Sequence, residues 1–387
     1  MGFALRGPIL WASQRPFIKR TLTALPLTRA VVRRFVAGEH LSDAVRVAGK
    51  LRRDGILISI DHLGEDVTHE QQVAANIREA EDLVGALQTA GLAEGSEISI
   101  KLSALGQALD DGLAYRSVLR IARAAHAARV LLSIDMEDHT TTDRTLATVR
   151  RVRVDVPSVG VAIQALLRRT PRDLADLREA GSRVRLVKGA YDEPIDVAVQ
   201  SPNEVEAAYT AALEQLFTGA GYPMVGTHSP ALIQRALELA AQHGKGRDDF
   251  ELQMLYGIRS AEQRRLAAEG YRVRAYVPYG TDWYGYLTRR LAEKPSNLML
   301  FLRALRPERD APKPVDPESV EAGPANVQSP AGQQTDAQQN ARARSASATA
   351  TAPTATAAAT TEYDLNERAS LHEGTGHGRP HISPDTQ

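Results

Sequence analysis

Between Ala44 and Arg303 one pattern recurs eight times: a short apolar or β-branched run ends in polar residues and gives way to a longer stretch with helical periodicity. The runs are ILISID (Ile56 to Asp61), EISIKLS (Glu97 to Ser103), VLLSID (Val130 to Asp135), GVAIQ (Gly160 to Gln164), VRLVKG (Val184 to Gly189), PMVGTH (Pro223 to His228), FELQML (Phe250 to Leu255) and RVRAYVP (Arg272 to Pro278). QQVAANIREAEDLVGALQTAG, ALIQRALELAAQHG and SAEQRRLAAEG are examples of the amphipathic stretches between them. Strand-helix alternation makes the strands parallel, because each helix returns the chain to the edge where the previous strand began. Eight such units in about 250 residues predict a closed, distorted (β/α)8 TIM-like barrel. A doubly wound open sheet would place a Gly-rich phosphate turn after an early strand. None of the early runs has one, and the spaced glycines Gly244/Gly246 and Gly374/Gly376 lack the strand-turn-helix setting.

The barrel is expected over residues 46–305, with an N-terminal helical segment at 1–45 and a low-complexity tail at 306–387. The tail is rich in Ala, Thr, Ser, Pro, Gln and Gly, as in SASATATAPTATAAATT, and offers almost nothing to bury. Ordering entropy is then unopposed, so disorder is expected there. Its His372, His377 and His381 read as solvated. Before Glu39 lie seven basic residues (Arg6, Arg15, Lys19, Arg20, Arg29, Arg33, Arg34) and no acidic one. Two readings of that segment stay open: helices broken near Pro16 and Pro26 that pack beside the barrel, or a basic membrane-surface or transit segment.

Over the whole chain 47 basic residues balance 47 acidic ones, which argues against a nucleic-acid partner. The absence of cysteine removes disulfides, thiolate metal sites and thiol nucleophiles, and fits a cytoplasmic protein. No run approaches the roughly 20 apolar residues of a membrane span.

In a parallel barrel the reactive groups collect at the carboxyl ends of the strands, where the βα loops meet. Those ends carry Asp61, Lys101, Asp135, Gln164, Arg185 with Lys188, Thr227 with His228, Gln253 and Tyr276. Any one of them has an ordinary structural reading, as a cap or an ion pair; eight together point to a site. H-x-H and H-E-x-x-H spacings, a G-x-S-x-G elbow and a P-loop are missing from the body. The segment YGYLTRRLAEKPSN (Tyr284 to Asn297) then reads as a helix with Tyr286, Arg289, Arg290 and Glu293 at i, i+3, i+4 and i+7. That face is polar at core spacing, whereas Leu287 and Leu291 lie on another. The residues by themselves indicate a barrel enzyme with an anionic substrate. A Schiff-base aldolase using Lys101 or Lys188 and a non-catalytic barrel scaffold stay open beside it.

RLVKGAY (Arg185 to Tyr191), THS (Thr227 to Ser229), ELQMLYG (Glu251 to Gly257) and YVPYGTDWYGYLTRRLAE (Tyr276 to Glu293) resemble, in this order, the signature blocks of the proline dehydrogenase family. SIKLS and SIDMED resemble its second and third strand ends, and the likeness runs from about Ile56 to Leu305. The resemblance is to the stand-alone bacterial type. It implies oxidation of L-proline to Δ1-pyrroline-5-carboxylate with non-covalent FAD, electrons passing to a membrane quinone, and a pyrroline-5-carboxylate dehydrogenase as pathway neighbour. A cytoplasmic enzyme with peripheral contact on the inner face of the plasma membrane is expected.

By the same resemblance, Asp135 and Arg185 are catalytic, with Arg185 beside flavin N5 and Asp135 ion-paired to Lys101 and Arg185. Lys101, Arg289 and Arg290 hold the substrate carboxylate, and Tyr276, Tyr286 and Leu255 wall its ring. Met136, Gln164, Val187, Lys188, Gly189, Ala190, Thr227, His228 and Glu293 fall to the cofactor, Glu293 also orienting the arginine pair. Ser229 stands where the family commonly has Asn, and Asp192 where many members have Trp.

Overall fold

Eight parallel strands close on themselves in sequence order. A computed structural model describes Val32 and residues 34–64, 67–179 and 182–283, all within the first of the two units into which the chain divides, Met1–Lys313. The strands are β1 Leu57–His62, β2 Glu97–Ile100, β3 Leu131–Ile134, β4 Gly160–Gln164, β5 Arg183–Val187, β6 Tyr222–Gly226, β7 Glu251–Leu255 and β8 Val273–Tyr279. Each overlaps one run picked out by periodicity. Helix α1 (Leu41–Arg53) precedes β1, and α2 (Glu70–Thr89), α3 (Asp111–Ala127), α4 (Thr142–Asp155), α5 (Thr170–Glu179), α6 (Pro202–Thr218), α7 (Pro230–Gln242) and α8 (Ser260–Ala268) follow β1 to β7 in turn. The predicted helix after β8, the segment before Val32 and the tail lie outside the described residues.

Local signals explain where the helices begin. Pro202 opens α6 behind Ser201, whose hydroxyl accepts the Glu204 amide at 3.2 Å while the Glu204 carboxylate reaches back to the Ser201 amide at 3.2 Å. Asp110 caps α3 by accepting the Leu113 amide at 2.5 Å. Alternate strand residues Ile58, Ile60, Ile98, Leu132, Ile134, Val161, Val184, Leu186, Leu252 and Val273 are buried in the layer between strands and helices. Fully burying each such side chain is worth about 2 kcal/mol.

Helix α1 sets the geometry of the opening. It packs on β1 and β8, the berth that a helix following the last strand takes in a regular barrel. Before it, the chain crosses the carboxyl ends of the closing strands. The Ala37 amide donates to the Pro278 carbonyl at 2.9 Å and the Gly280 amide to the Gly38 carbonyl at 3.0 Å. Val32, Phe35 and Val36 form a small cluster there with Leu63, Ile258 and Trp283. Gly257, with φ +76°, lies so close to this crossing that a Cβ would stand 1.9 Å from the Arg34 carbonyl oxygen.

Candidate active site

Parallel strands are usually apolar on both faces. Here the second face is charged. Four carboxylates (Asp61, Glu97, Asp135, Glu251) meet four cations (Lys101, Arg183, Arg185, Arg274) in ion pairs inside the barrel. Near the amino ends of the strands, Arg274 grips Glu251 through Nε at 2.6 Å and Nη2 at 2.9 Å, and its Nη1 donates to the Ile58 and Gly95 carbonyls. Arg183 Nη2 lies 3.0 Å from Glu97 Oε2. Burial alone would raise the Glu97 and Glu251 carboxyls; nearby guanidiniums outweigh it and hold both below the ordinary carboxylate range, Arg185 and Arg183 leading at Glu97 and Arg274 at Glu251.

Arg185 stands one pleat above this layer, 3% exposed. Its Nε donates to Gln253 Oε1 at 2.7 Å, Nη1 to Ser99 Oγ at 2.9 Å and Asp135 Oδ1 at 2.5 Å, and Nη2 to Ser59 Oγ at 3.1 Å and to Glu97. Five contacts match the five N–H groups of a guanidinium, so Arg185 acts on its surroundings by charge more than by a spare donor. Desolvation works against that charge, yet Glu97 and Asp135 raise its pKa above the ordinary arginine value. Its guanidinium carbon lies 5.2 Å from the Tyr276 ring centroid.

At the mouth, Tyr276 donates its hydroxyl to Asp135 Oδ2 at 2.6 Å, and Ser99 Oγ donates to Oδ1 at 2.9 Å. Burial, with the Asp135 charge beside it, pushes the Tyr276 phenol well above its ordinary pKa and keeps it a donor. The expected Asp135–Lys101 pair is corrected: Lys101 Nζ bonds both oxygens of Asp61, each at 2.8 Å. Two reaches decide the exchange. Arg185 and Tyr276 extend to Asp135 from across the barrel, and Asp61 pairs in register with Ser99, one pleat from Lys101.

Among the described residues, the predicted cofactor positions fall at the ends of β3 to β6. Gln164, 2% exposed, donates from Nε2 to the Glu137 carbonyl at 2.9 Å and accepts the Ala190 amide at 3.3 Å. Met136 is buried beside Glu137. Val187 ends β5, its carbonyl accepting the Ala165 amide at 2.8 Å. Lys188 turns outward to Glu206 on α6 at 2.9 Å. Gly189 has φ +117°, and a Cβ there would come within 2.1 Å of Leu166 Cδ2. Thr227 accepts the Ser229 amide at 3.1 Å, so the departure at Ser229 leaves this turn bonded through its backbone. His228 Nε2 accepts the Leu255 amide at 2.9 Å, which puts the ring hydrogen on Nδ1. Leu255 packs against the cluster of Phe35, Leu63 and Trp283. Asp192 is exposed. Tyr286, Arg289, Arg290 and Glu293 lie outside the described residues.

The sequence assigns no role to six members of this network, Ser59, Glu97, Ser99, Arg183, Glu251 and Arg274, nor to the loop pair His139–Glu193. The first six announce themselves by polar residues every second position, as in EISIK, RVRLV, ELQML and RVRAY.

The family model described as proline dehydrogenase matches residues 44–301. Proline dehydrogenase 1 of Bacillus subtilis is 36% identical over 301 residues, covering 78% of this chain and 99% of that protein. Proline dehydrogenase of Deinococcus radiodurans is 36% identical over 305 residues, covering 78% and 97%. Among solved structures, proline utilization A from Bdellovibrio bacteriovorus, inactivated by N-propargylglycine, superposes with a TM-score of 0.63 at 23% identity, over 68% of this chain and 32% of that one. That last likeness speaks for the barrel alone, and the chain spans about a third of that protein. A family match across the whole barrel, joined to near-complete coverage of two proline dehydrogenases, makes this chain a member of the proline dehydrogenase family.

Proposed function

We infer that the chain oxidises L-proline to Δ1-pyrroline-5-carboxylate, the first step of proline catabolism, with FAD as the bound electron acceptor. The observation that carries this reading is the convergence of Lys101, Asp61, Asp135, Tyr276 and Arg185 at one barrel mouth in a chain of this family. The residues present fit a flavin. Lys101 at the mouth and Arg185 just beneath it would stabilise negative charge on a reduced flavin, and the Gly189 turn brings backbone rather than side chain to the end of β5. FAD, when bound, supplies the ring that accepts a hydride equivalent.

The chain's own part is positioning and charge. Lys101, held by Asp61, contributes positive charge toward the substrate carboxylate, and Arg289 and Arg290 complete the clamp with the paired N–H geometry that guanidinium offers. Tyr276 and Leu255, with Tyr286, wall the pyrrolidine ring and exclude water. Asp135 orients Tyr276 and Arg185 together. Gln164, Val187, Gly189, Ala190, Thr227 and His228, with Met136 and the backbone of Lys188, line the cofactor side, and Glu293 steadies the arginine pair. Helix α1 packs on β8 and β1, and on this reading the arginine face predicted after β8 serves the mouth. Residues 46–305 form the catalytic domain on this reading. Electrons pass on to a quinone, with the basic N-terminal segment aiding contact at a membrane surface; no described helix is long and apolar enough to cross one.

Lys101 in a two-oxygen ion pair and Lys188 facing Glu206 both speak against the aldolase reading, which needs a neutral amine over the substrate. The test is spectral. The purified full-length chain should be yellow, or become so with FAD, and L-proline under anaerobic conditions should bleach the flavin band. Protein that binds no flavin, or a flavin that proline leaves oxidised, sinks the reading. Arg289→Lys and Arg290→Lys should each raise KM for proline about 30-fold, the equivalent of about 2 kcal/mol, with FAD affinity held.

A further inference from the structure

The loop from Lys188 to Ser201, between β5 and α6, is exposed at Asp192 and from Pro194 to Asp196, yet Glu193 among them is 7% exposed. Its carboxylate is fully engaged. Oε1 accepts the His139 backbone amide at 3.0 Å and Oε2 meets His139 Nδ1, while the Glu193 carbonyl accepts Gln200 Nε2 at 2.9 Å. His139 opens the 3-10 turn His139–Thr141 in the loop after β3. One buried carboxylate therefore ties the β5 loop to the β3 loop, 54 residues away, over the end of β4. Gln164 makes an inner tie between the same two loops, from the Glu137 carbonyl to the Ala190 amide.

We propose that His139 and Glu193 form an outer brace that fixes the β5 loop against the β3 loop and so presets the Lys188–Ala190 backbone for FAD. The proposal rests on the reading of these loops as the flavin seat. A buried carboxylate is costly to desolvate unless its hydrogen bonds are made, so Glu193 stays buried only while His139 is in place. Two ties at different radii allow the turn at Gly189 one position. With the outer tie cut, the turn keeps the Gln164–Ala190 bond and the Leu166 amide on the Lys188 carbonyl at 3.0 Å, but the loop beyond it loosens, and each binding event must first order that part. His139 and Glu193 are positioning residues in this scheme; they act through the backbone they hold.

The experiment compares the full-length wild type with His139→Ala, Glu193→Ala and His139→Asn, the asparagine amide standing in for the ring Nδ1–H. The readouts are the FAD dissociation constant from flavin fluorescence, KM for proline, and Tm. Both alanine variants should weaken FAD about tenfold, which corresponds to about 1.4 kcal/mol, with KM for proline at saturating FAD unchanged. His139→Asn should return to within about threefold of wild type. Lower Tm with unchanged FAD affinity in both alanine variants, or no recovery with asparagine, overturns the brace. Wild-type protein that takes up no FAD overturns the flavin reading itself and the brace with it. Should the alanine variants fail to fold, amide exchange on wild-type protein decides: His139 and Ala190 opening with one free energy supports the brace, and independent opening overturns it.

Discussion

At the scale of the residue, the barrel interior works by matched charge. Glu97 is the sharpest case, because its one carboxylate serves both Arg185 and Arg183 at a fully buried site. Glu97→Gln keeps the volume and leaves two buried guanidiniums short of a countercharge. It should destabilise the fold by about 3–5 kcal/mol, measured by urea unfolding, whereas cutting an exposed pair such as Arg120–Glu81 should leave the urea midpoint close to wild type. A small effect at Glu97 would mean that the interior pairs are wet. These residues were legible in the sequence in kind and hidden in role. The alternation in EISIK or RVRAY shows that one face is polar, but only closure of the barrel turns that face inward and makes carboxylate and guanidinium neighbours. Lys101 illustrates the limit: two strand-end carboxylates, Asp61 and Asp135, were within plausible reach, and the stagger between β1 and β2 chose Asp61.

Among the elements, α1 and the crossing before it matter most for the mouth. The strands and the helices after them were readable from period 2 and period 3.6 patterns, because each is a local property. That α1 fills the β8–β1 groove was not readable, since no local signal tells a helix before the first strand from one after the last. Gly257→Ala tests how tightly residues 34–39 are held: the added methyl meets the Arg34 carbonyl and sits at φ +76°, so a loss of about 1–3 kcal/mol is expected by calorimetry. An unchanged Tm would show that the crossing lies elsewhere.

For the molecule as a whole, the depressed carboxyls Glu97 and Glu251 set the acid limit. Each has a folded pKa below its ordinary 4.5, so the folded state binds fewer protons there than the unfolded chain. Their contribution is complete above that value and falls away as the pH drops below it. The urea midpoint should hold near pH 6, fall steeply between about pH 4.5 and 3, and lose part of that slope in Glu251→Gln. A slope that Glu251→Gln leaves unaltered would place the acid sensitivity in other groups.

The crossing at the mouth also fixes an order of events. Residues 34–39 leave the ribosome early, and their partners at 278–283 arrive some 240 residues later. Contacts this far apart along a chain are slow to form. The rim over the strands' carboxyl ends is therefore completed last, and a nascent chain has no pocket to offer a ligand until its eighth strand has been delivered.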